Sequence, residues 1–251
     1  MTIRAILALL LLATLVTACA AAPGAQKAVT IQWLGHASFL ITSAEGVRIV
    51  TDPFPAEVGY PPPHPTADVA LISHEHFDHN AVSEVRGNPT AIRFGGRSGA
   101  ATSRGIAFKG IEAQHFPPDE PAAANRGTVT LFTFEVDGIR FCHLGDLGRA
   151  LTVGQIKAIG PVDALMIPTG GHYTIGPAQA DRVIAQLHPK VVIPMHYRTT
   201  VTSQGFARLT TLEEFLAGKP NVKRITGDTL TLTKASLPPK TTIYAFMKYS
   251  G

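Results

Sequence analysis

The sequence predicts an α/β domain in which sheets carry helices on their outer faces. Short apolar runs rich in β-branched residues alternate with turn signals along the chain. Early strands give way to alternating strand and helix patterns and then to late strands, the order expected of sheets with helices packed outside. With 251 residues, 45% of them hydrophobic, the chain can bury one sizeable core. No repeat of about 20 to 50 residues is present, which excludes solenoids and propellers. Low hydrophobicity with high charge marks disorder, and a chain with 16% charged residues and a net charge of +4 shows neither. No Lys/Arg run exceeds the pair Lys223-Arg224, so no nucleic-acid partner is expected.

Met1–Arg4 is a short basic start, and Ala5–Val16 is almost wholly apolar. Small residues around Cys19 follow, as in a bacterial lipoprotein signal, whose Cys becomes the lipidated N-terminus. Residues 1–18 are thus expected to be a signal peptide, Cys19 the lipidation site, 19–27 a tether and 28–251 the folded domain. A membrane span needs about 20 apolar residues, and Thr14 and Thr17 interrupt this run. The expected location is outside the cytoplasm, anchored through lipid to a bacterial membrane on its periplasmic or outer-membrane face. Lipidation of Cys19 leaves Cys142 without a disulfide partner.

Within the domain, Val29–Leu34, Ser38–Thr42 and Arg48–Thr51 read as a meander, with Glu45-Gly46 turning between the last two. Asp68–Ser73 is a further strand. Thr128–Val136 and Ile139–His143 flank Asp137-Gly138, a strong hairpin signal. Ala164–Pro168 and Val191–Met195 are compact apolar strands. Pro177–Leu187 opens with Pro and reads as a helix, and Thr211–Leu216 has Thr211 as a cap with Glu213 and Glu214 in its first turn. Asn80–Val85 and Thr152–Ile159 are shorter helix candidates. Pro53–Thr66 and Phe116–Gly127 read as long irregular loops beside His motifs.

Ten histidines stand against eighteen acids, and their placement carries the chemistry. Asp68–Ser73 runs into His74-Glu75-His76-Phe77-Asp78-His79. On an extended strand end residues i and i+2 share a face, so His74 and His76 can point at one ion, while Asp78 and His79 reach a second position. Imidazole and carboxylate ligands suit Zn²⁺, with Mn²⁺ or Fe²⁺ as alternatives. Further ligand candidates follow other strands, at His115, His143, Asp146, His172 and His196. Ligands from several strand ends can converge on one sheet edge. His64 and His188 look like surface residues.

This ordered series resembles the metallo-β-lactamase-fold hydrolases from about Val29 to Leu232. It is most similar to the branch containing the ascorbate-6-phosphate lactonase and the N-acyl phosphatidylethanolamine phospholipase D. The shared motifs are Leu34-Gly35-His36-Ala37-Ser38-Phe39, Asp52-Pro53, Ala113-Gln114-His115, His143-Leu144-Gly145-Asp146 and Met195-His196. The resemblance implies a four-layer αββα sandwich with the site on one edge of its two sheets. It implies a first ion on His74, His76 and His115, a second on Asp78, His79 and His196, and Asp146 bridging both. Two ions activate a shared water for attack on an ester, lactone or phosphodiester. The branch usually has Thr after the bridging Asp, where this chain has Leu147.

The resemblance thus makes Asp78 and Asp146 the expected catalytic carboxylates. His36, Asp52 and His143 are expected to support ligands from behind, as a liganding His commonly donates to a carboxylate or carbonyl. His172 and Tyr173, after Gly170-Gly171, are candidates for substrate contact, with His172 a candidate general acid. The substrate is expected to be a small or lipid-like molecule. Antibiotic-cleaving members of the superfamily lack the bridging Asp and its nucleases carry a large inserted domain, so neither activity is favoured. The competing class is a metal-binding or inactive lipoprotein scaffold, and a missing ligand would have supported it.

Overall fold

The computed structural model describes residues 26–115 and 127–250; the expected signal peptide, Cys19 and most of the loop expected at 116–127 lie outside them. Among the described residues fourteen strands form two mixed sheets. The first has the order β13-β1-β2-β3-β4-β5, from β1 (Ala28–Gly35), β2 (Ser38–Thr42), β3 (Arg48–Thr51), β4 (Val69–Ile72), β5 (Thr90–Arg93) and β13 (Thr229–Thr233). The second runs β12-β14-β11-β10-β9-β8-β7-β6. Its strands are β6 (Gly99–Ser103), β7 (Ile106–Gln114), β8 (Thr128–Val136), β9 (Ile139–His143), β10 (Ala164–Pro168), β11 (Val191–Met195), β12 (Val222–Ile225) and β14 (Thr242–Phe246).

Each sheet joins an antiparallel half to a parallel half. β13, β1, β2 and β3 pair antiparallel, whereas β3, β4 and β5 pair in parallel. In the second sheet β6 to β9 form antiparallel pairs, and β9, β10, β11, β14 and β12 parallel ones. Strands buried on both faces read as unbroken apolar runs, which explains Val-Ala-Leu-Ile in β4 and Val-Val-Ile-Pro-Met in β11, every residue of which is buried. Parallel neighbours need crossovers, supplied by α1 (Val153–Ile159) between β9 and β10 and by α2 (Pro177–Leu187) between β10 and β11.

Local chemistry sets the boundaries. Thr152 and Gln155 make a reciprocal capping box at α1, and Thr211 and Glu214 make another at α3 (Leu212–Leu216). α2 starts on Pro177 and buries Ala180, Val183 and Leu187; Val and Leu each contribute about 1.5–3 kcal/mol on full burial. Asp137 and Gly138 both have positive φ, at 49° and 79°, which gives the β8–β9 hairpin the twist its strands require. The helix expected over Asn80–Val85 is instead a 3-10 turn at Val82–Glu84 between β4 and β5. That stretch has no cap side chain to satisfy its first amides, unlike the equally short α3 with its capping box. β5 and β6 come without a strand having been expected there, whereas β7 is the strand expected before His115. In β6 and β7, Gly99 faces Gly110 across the pair, and Phe94 fills the space where their Cβ atoms would stand.

One buried apolar cluster spans both sheets. Its Trp33 packs against Tyr60, Tyr197 and Phe246, and Trp33 Nε1 donates to the His36 carbonyl at 3.3 Å. His36, Asp52, Ser73, His115 and His196 each directly follow a strand of one sheet or the other. The site therefore lies where the carboxyl ends of β1, β3, β4, β7 and β11 meet.

Candidate metal centre

β4 delivers Ser73 and His74, and the chain then turns so that the His79 amide donates to the His76 carbonyl at 3.0 Å. The turn leaves the His74 and His76 rings 4.6 Å apart. From the other sheet β7 brings His115, whose Nε2 lies 3.1 Å from both His74 Nε2 and His76 Nδ1. A second group collects Asp78, His79 and His196, with His79 Nε2 at 3.4 Å and His196 Nε2 at 4.0 Å from Asp78 Oδ2. Asp146 stands between the groups. Its Oδ1 is 3.2 Å from His79 Nε2, and its Oδ2 is 3.5 Å from His115 Nε2, 3.4 Å from His196 Nε2 and 3.9 Å from His74 Nε2.

These spacings match a cation's coordination sphere. Ligands about 2.0–2.1 Å from a tetrahedral ion stand about 3.3 Å from one another. Three buried atoms, His79 Nε2, His196 Nε2 and Asp146 Oδ1, make no hydrogen bond and are what an ion would satisfy. Burial alone would raise the Asp146 carboxyl, but His196, His79 and His115 hold it well below the usual carboxylate range. Burial pushes His74 and His115 down and takes His196 down to about 3, keeping all three neutral as ligands must be. His79 differs: against the push of burial, Asp146, Asp78 and Asp52 raise it well above its usual value. The buried carboxylates therefore require positive charge at this point, which a divalent ion or a proton on His79 can supply.

Behind the ligands lies a single hub. Fully buried Asp52 accepts from the Ser73 amide at 2.8 Å through Oδ1. Through Oδ2 it accepts from Ser73 Oγ at 2.7 Å, His79 Nδ1 at 3.0 Å and His143 Nε2 at 2.9 Å. Its proton given to Asp52, His79 presents a bare Nε2 to the site. Ser73 extends the control, since its Oγ accepts from His74 Nδ1 at 3.0 Å, fixing that ring in the same tautomer. His36 does for Asp78 what Asp52 does for His79, its Nε2 donating to Asp78 Oδ2 at 3.0 Å. His36, Asp52 and His196 have φ of 50°, 36° and 51°, a left-handed backbone that non-glycine residues seldom adopt and that concentrates at functional sites. Gly145 (φ 47°) lets the Asp146 turn close on Ser73, whose Cβ would lie 2.6 Å from any Cβ at 145.

His76, Asp78, His115, Asp146 and His196 form the floor of a cavity of about 360 Å³. Its described walls are Phe77, Tyr173, Ser203, Gly205 and Phe206. Tyr173 thus faces the site, where its hydroxyl donates to the Gly205 carbonyl at 2.8 Å. His172 packs on Tyr173, ring centroids 4.3 Å apart, and is not among the described lining residues. Leu147, in place of the expected Thr, is buried, and its carbonyl accepts from the Ile175 amide at 2.8 Å, tying the Asp146 turn to the 170–176 loop. His64 pairs with Glu84 at 3.1 Å and His188 caps α2, both away from the centre. Burial raises the Cys142 thiol to about 12, leaving it inert. Sequence reasoning did not single out Ser73 or the segment of Ser203, Gly205 and Phe206. Ser73, directly before the first His, carried a readable signal, whereas the segment carries none.

The model of the beta-lactamase superfamily domain matches residues 30–196. The chain is 31% identical over 196 residues to a UPF0173 metal-dependent hydrolase of Thermococcus onnurineus, covering 68% of this chain and 85% of that one. A UPF0173 metal-dependent hydrolase of Myxococcus xanthus is 32% identical over 203 residues, covering 70% and 72%. Among solved structures, a candidate Zn-dependent hydrolase of the metallo-β-lactamase superfamily from Thermotoga maritima is similar, with a TM-score of 0.69 at 37% identity. That match covers 87% of this chain and 98% of that one. With its fold, its His and Asp cluster and these relatives in agreement, the chain belongs to the UPF0173 metal-dependent hydrolases of the metallo-β-lactamase superfamily.

Proposed function

We propose that the chain holds two divalent ions, Zn²⁺ in preference to Mn²⁺ or Fe²⁺, and hydrolyses an ester, lactone or phosphodiester bond. The observation that carries this reading is Asp146, with one oxygen 3.2 Å from His79 Nε2 and the other 3.5 Å from His115 Nε2. A carboxylate so placed can join ions about 3.5–4 Å apart. His74, His76 and His115 would hold one ion, and Asp78, His79 and His196 the other. Such ions polarise the substrate oxygen and lower the pKa of water, so no protein base need stand over the site. The chain's own residues fix the ligands. Asp52 and Ser73 set the tautomers of His79 and His74, and His36 fixes Asp78. The likeness to the lactonase and phospholipase D branch supports the same range of bonds. Tyr173, on the cavity wall, contacts the substrate, and His172 acts through it.

The lipoprotein-like signal supports a protein exported and anchored through Cys19 to a bacterial membrane, working on small or lipid-like molecules and not on nucleic acid. Among the described residues no helix is long and apolar enough to cross a membrane. The tether would join the domain at Ala28, eight residues along β1 from its end beside His36, or about 26 Å at 3.3 Å per residue.

Elemental analysis of wild type and Asp146→Asn, beside an ester, lactone and phosphodiester panel, tests the reading. Wild type should carry two ions per chain. The variant should carry fewer and lose at least the 10–100-fold typical of disturbed ligand support. An Asp146→Asn protein with two ions and full turnover would overturn it.

A further inference from the structure

We propose that the cavity over the metal centre selects an uncharged carboxylic ester or lactone with an apolar acyl group, in preference to a phosphodiester. The proposal rests on the hydrolase reading above and narrows its substrate.

Phe77 carries the first observation. It is 56% exposed, one of three large apolar side chains that stand exposed among the described residues. Its place is set by its neighbours in sequence, His76 and Asp78, both on the cavity floor. An apolar ring held in water at the mouth of a site is a ready contact for apolar substrate. Phe206 lines another part of the wall and is itself held, its ring 5.0 Å from His36 and 6.1 Å from Tyr173. Because the Tyr173 hydroxyl is donated to Gly205, that side chain fixes the segment carrying Phe206.

Charge supplies the second observation. None of the described residues lining the cavity is Lys or Arg. Sites for phosphate esters commonly use such cations, above all bidentate Arg. Nor would the centre supply much surplus charge, because buried Asp52, Asp78 and Asp146 offset most of what two divalent ions bring. A neutral acyl group loses nothing by this, whereas a phosphodiester anion finds only the small excess of the two ions over the three carboxylates and no Lys or Arg among the described lining residues. The volume of about 360 Å³ falls at the small end of ligand sites, which suits a short or medium acyl chain. In the reaction, water's oxygen bonds to the acyl carbon, the bond from that carbon to the leaving oxygen breaks, and a proton from water ends on the departing alkoxide.

The test uses metal-replete wild type, Phe77→Ala and Phe206→Leu with p-nitrophenyl acetate, butyrate and hexanoate and with bis(p-nitrophenyl) phosphate. Calorimetric titration with 2-heptanone, an uncharged ester analogue, runs in parallel. For wild type, kcat/KM should rise with acyl length by up to about fourfold per buried methylene. Phe77→Ala, whose exposed ring does not support the fold, should raise KM for hexanoate about five- to tenfold and weaken 2-heptanone binding about tenfold. Phe206→Leu should shift both in the same direction by less. A flat chain-length profile, a profile unmoved by Phe77→Ala, or a higher kcat/KM on the phosphodiester than on the esters would overturn the proposal. No turnover of any compound, with 2-heptanone binding still dependent on Phe77, would refute the hydrolase reading and leave the cavity's apolar preference standing.

Discussion

Replacing Asp52 by Asn probes how one residue governs both groups of ligands. Four donors converge on its carboxylate: Ser73 N on Oδ1, and Ser73 Oγ, His79 Nδ1 and His143 Nε2 on Oδ2. An Asn must turn its NH₂ toward one side. Facing Oδ2's three donors is the worse choice, so the amide nitrogen will meet the Ser73 amide, and a buried donor left unpaired costs about 1–3 kcal/mol. The other three bonds fall from charge-assisted to neutral, a loss of about 1 kcal/mol each. Relief from burying a charge offsets part of this total, so the change in stability should be modest. The effect on metal should not be. His79 keeps only a neutral acceptor in place of the carboxylate that holds its tautomer, and disturbed support of this kind costs about 10–100-fold in affinity. His74, held through Ser73, should be affected less. Competition titration of Zn²⁺ against a chromogenic chelator, with urea unfolding of the metal-free protein, separates the two effects. Ser73→Ala should weaken only the His74 side. Wild-type affinity in Asp52→Asn would refute the hub.

His115→Ala should lose mainly the ion on His74 and His76, and His196→Ala mainly the ion on Asp78 and His79. Equal losses from both ions in each variant, read by metal titration, would contradict that division. His172→Ala should keep both ions and lose kcat/KM alone. Asp163 accepts from Arg140 Nε at 2.9 Å and Lys234 Nζ at 2.8 Å, which, with burial working the other way, hold its carboxyl below the usual range. A depressed folded pKa contributes stability above the unfolded value of about 4 and loses it as pH falls through the folded one. The excess stability of wild type over Asp163→Asn in urea should therefore be full at pH 7 and shrink below about pH 4. Cys19→Ser should leave the precursor without lipid, read by mass spectrometry of the mature N-terminus; a wild type bearing no lipid would remove the anchor.

Much of the site was readable because its residues follow strands whose apolar runs are themselves readable. His74, His76, Asp78 and His79 follow β4, and His115, Asp146 and His196 follow strands of the other sheet, so the separate motifs converge in space. The hairpin at Asp137-Gly138 and the cap at Thr211 were local signals and fell where local chemistry put them. Non-local causes were not readable. Gly99 and Gly110 look like strand breakers until Phe94 is seen seated on the pair. Asn80–Val85 carries a helix-like pattern, yet its chain is spent turning from the ligands toward β5. Phe206 reaches the cavity only because the segment after His196 folds back, through Thr210 N to the Gly170 carbonyl at 2.8 Å and Tyr173 Oη to the Gly205 carbonyl. No spacing in the sequence announces such a return.

Anomalous scattering at the zinc edge from crystals of zinc-loaded protein tests the two-ion centre most directly. Two peaks are expected about 3.5–4 Å apart, one among His74, His76 and His115 and the other among Asp78, His79 and His196, with Asp146 touching both. A single peak, or two peaks with Asp146 bound to only one of them, would contradict the bridging role on which the proposed chemistry depends.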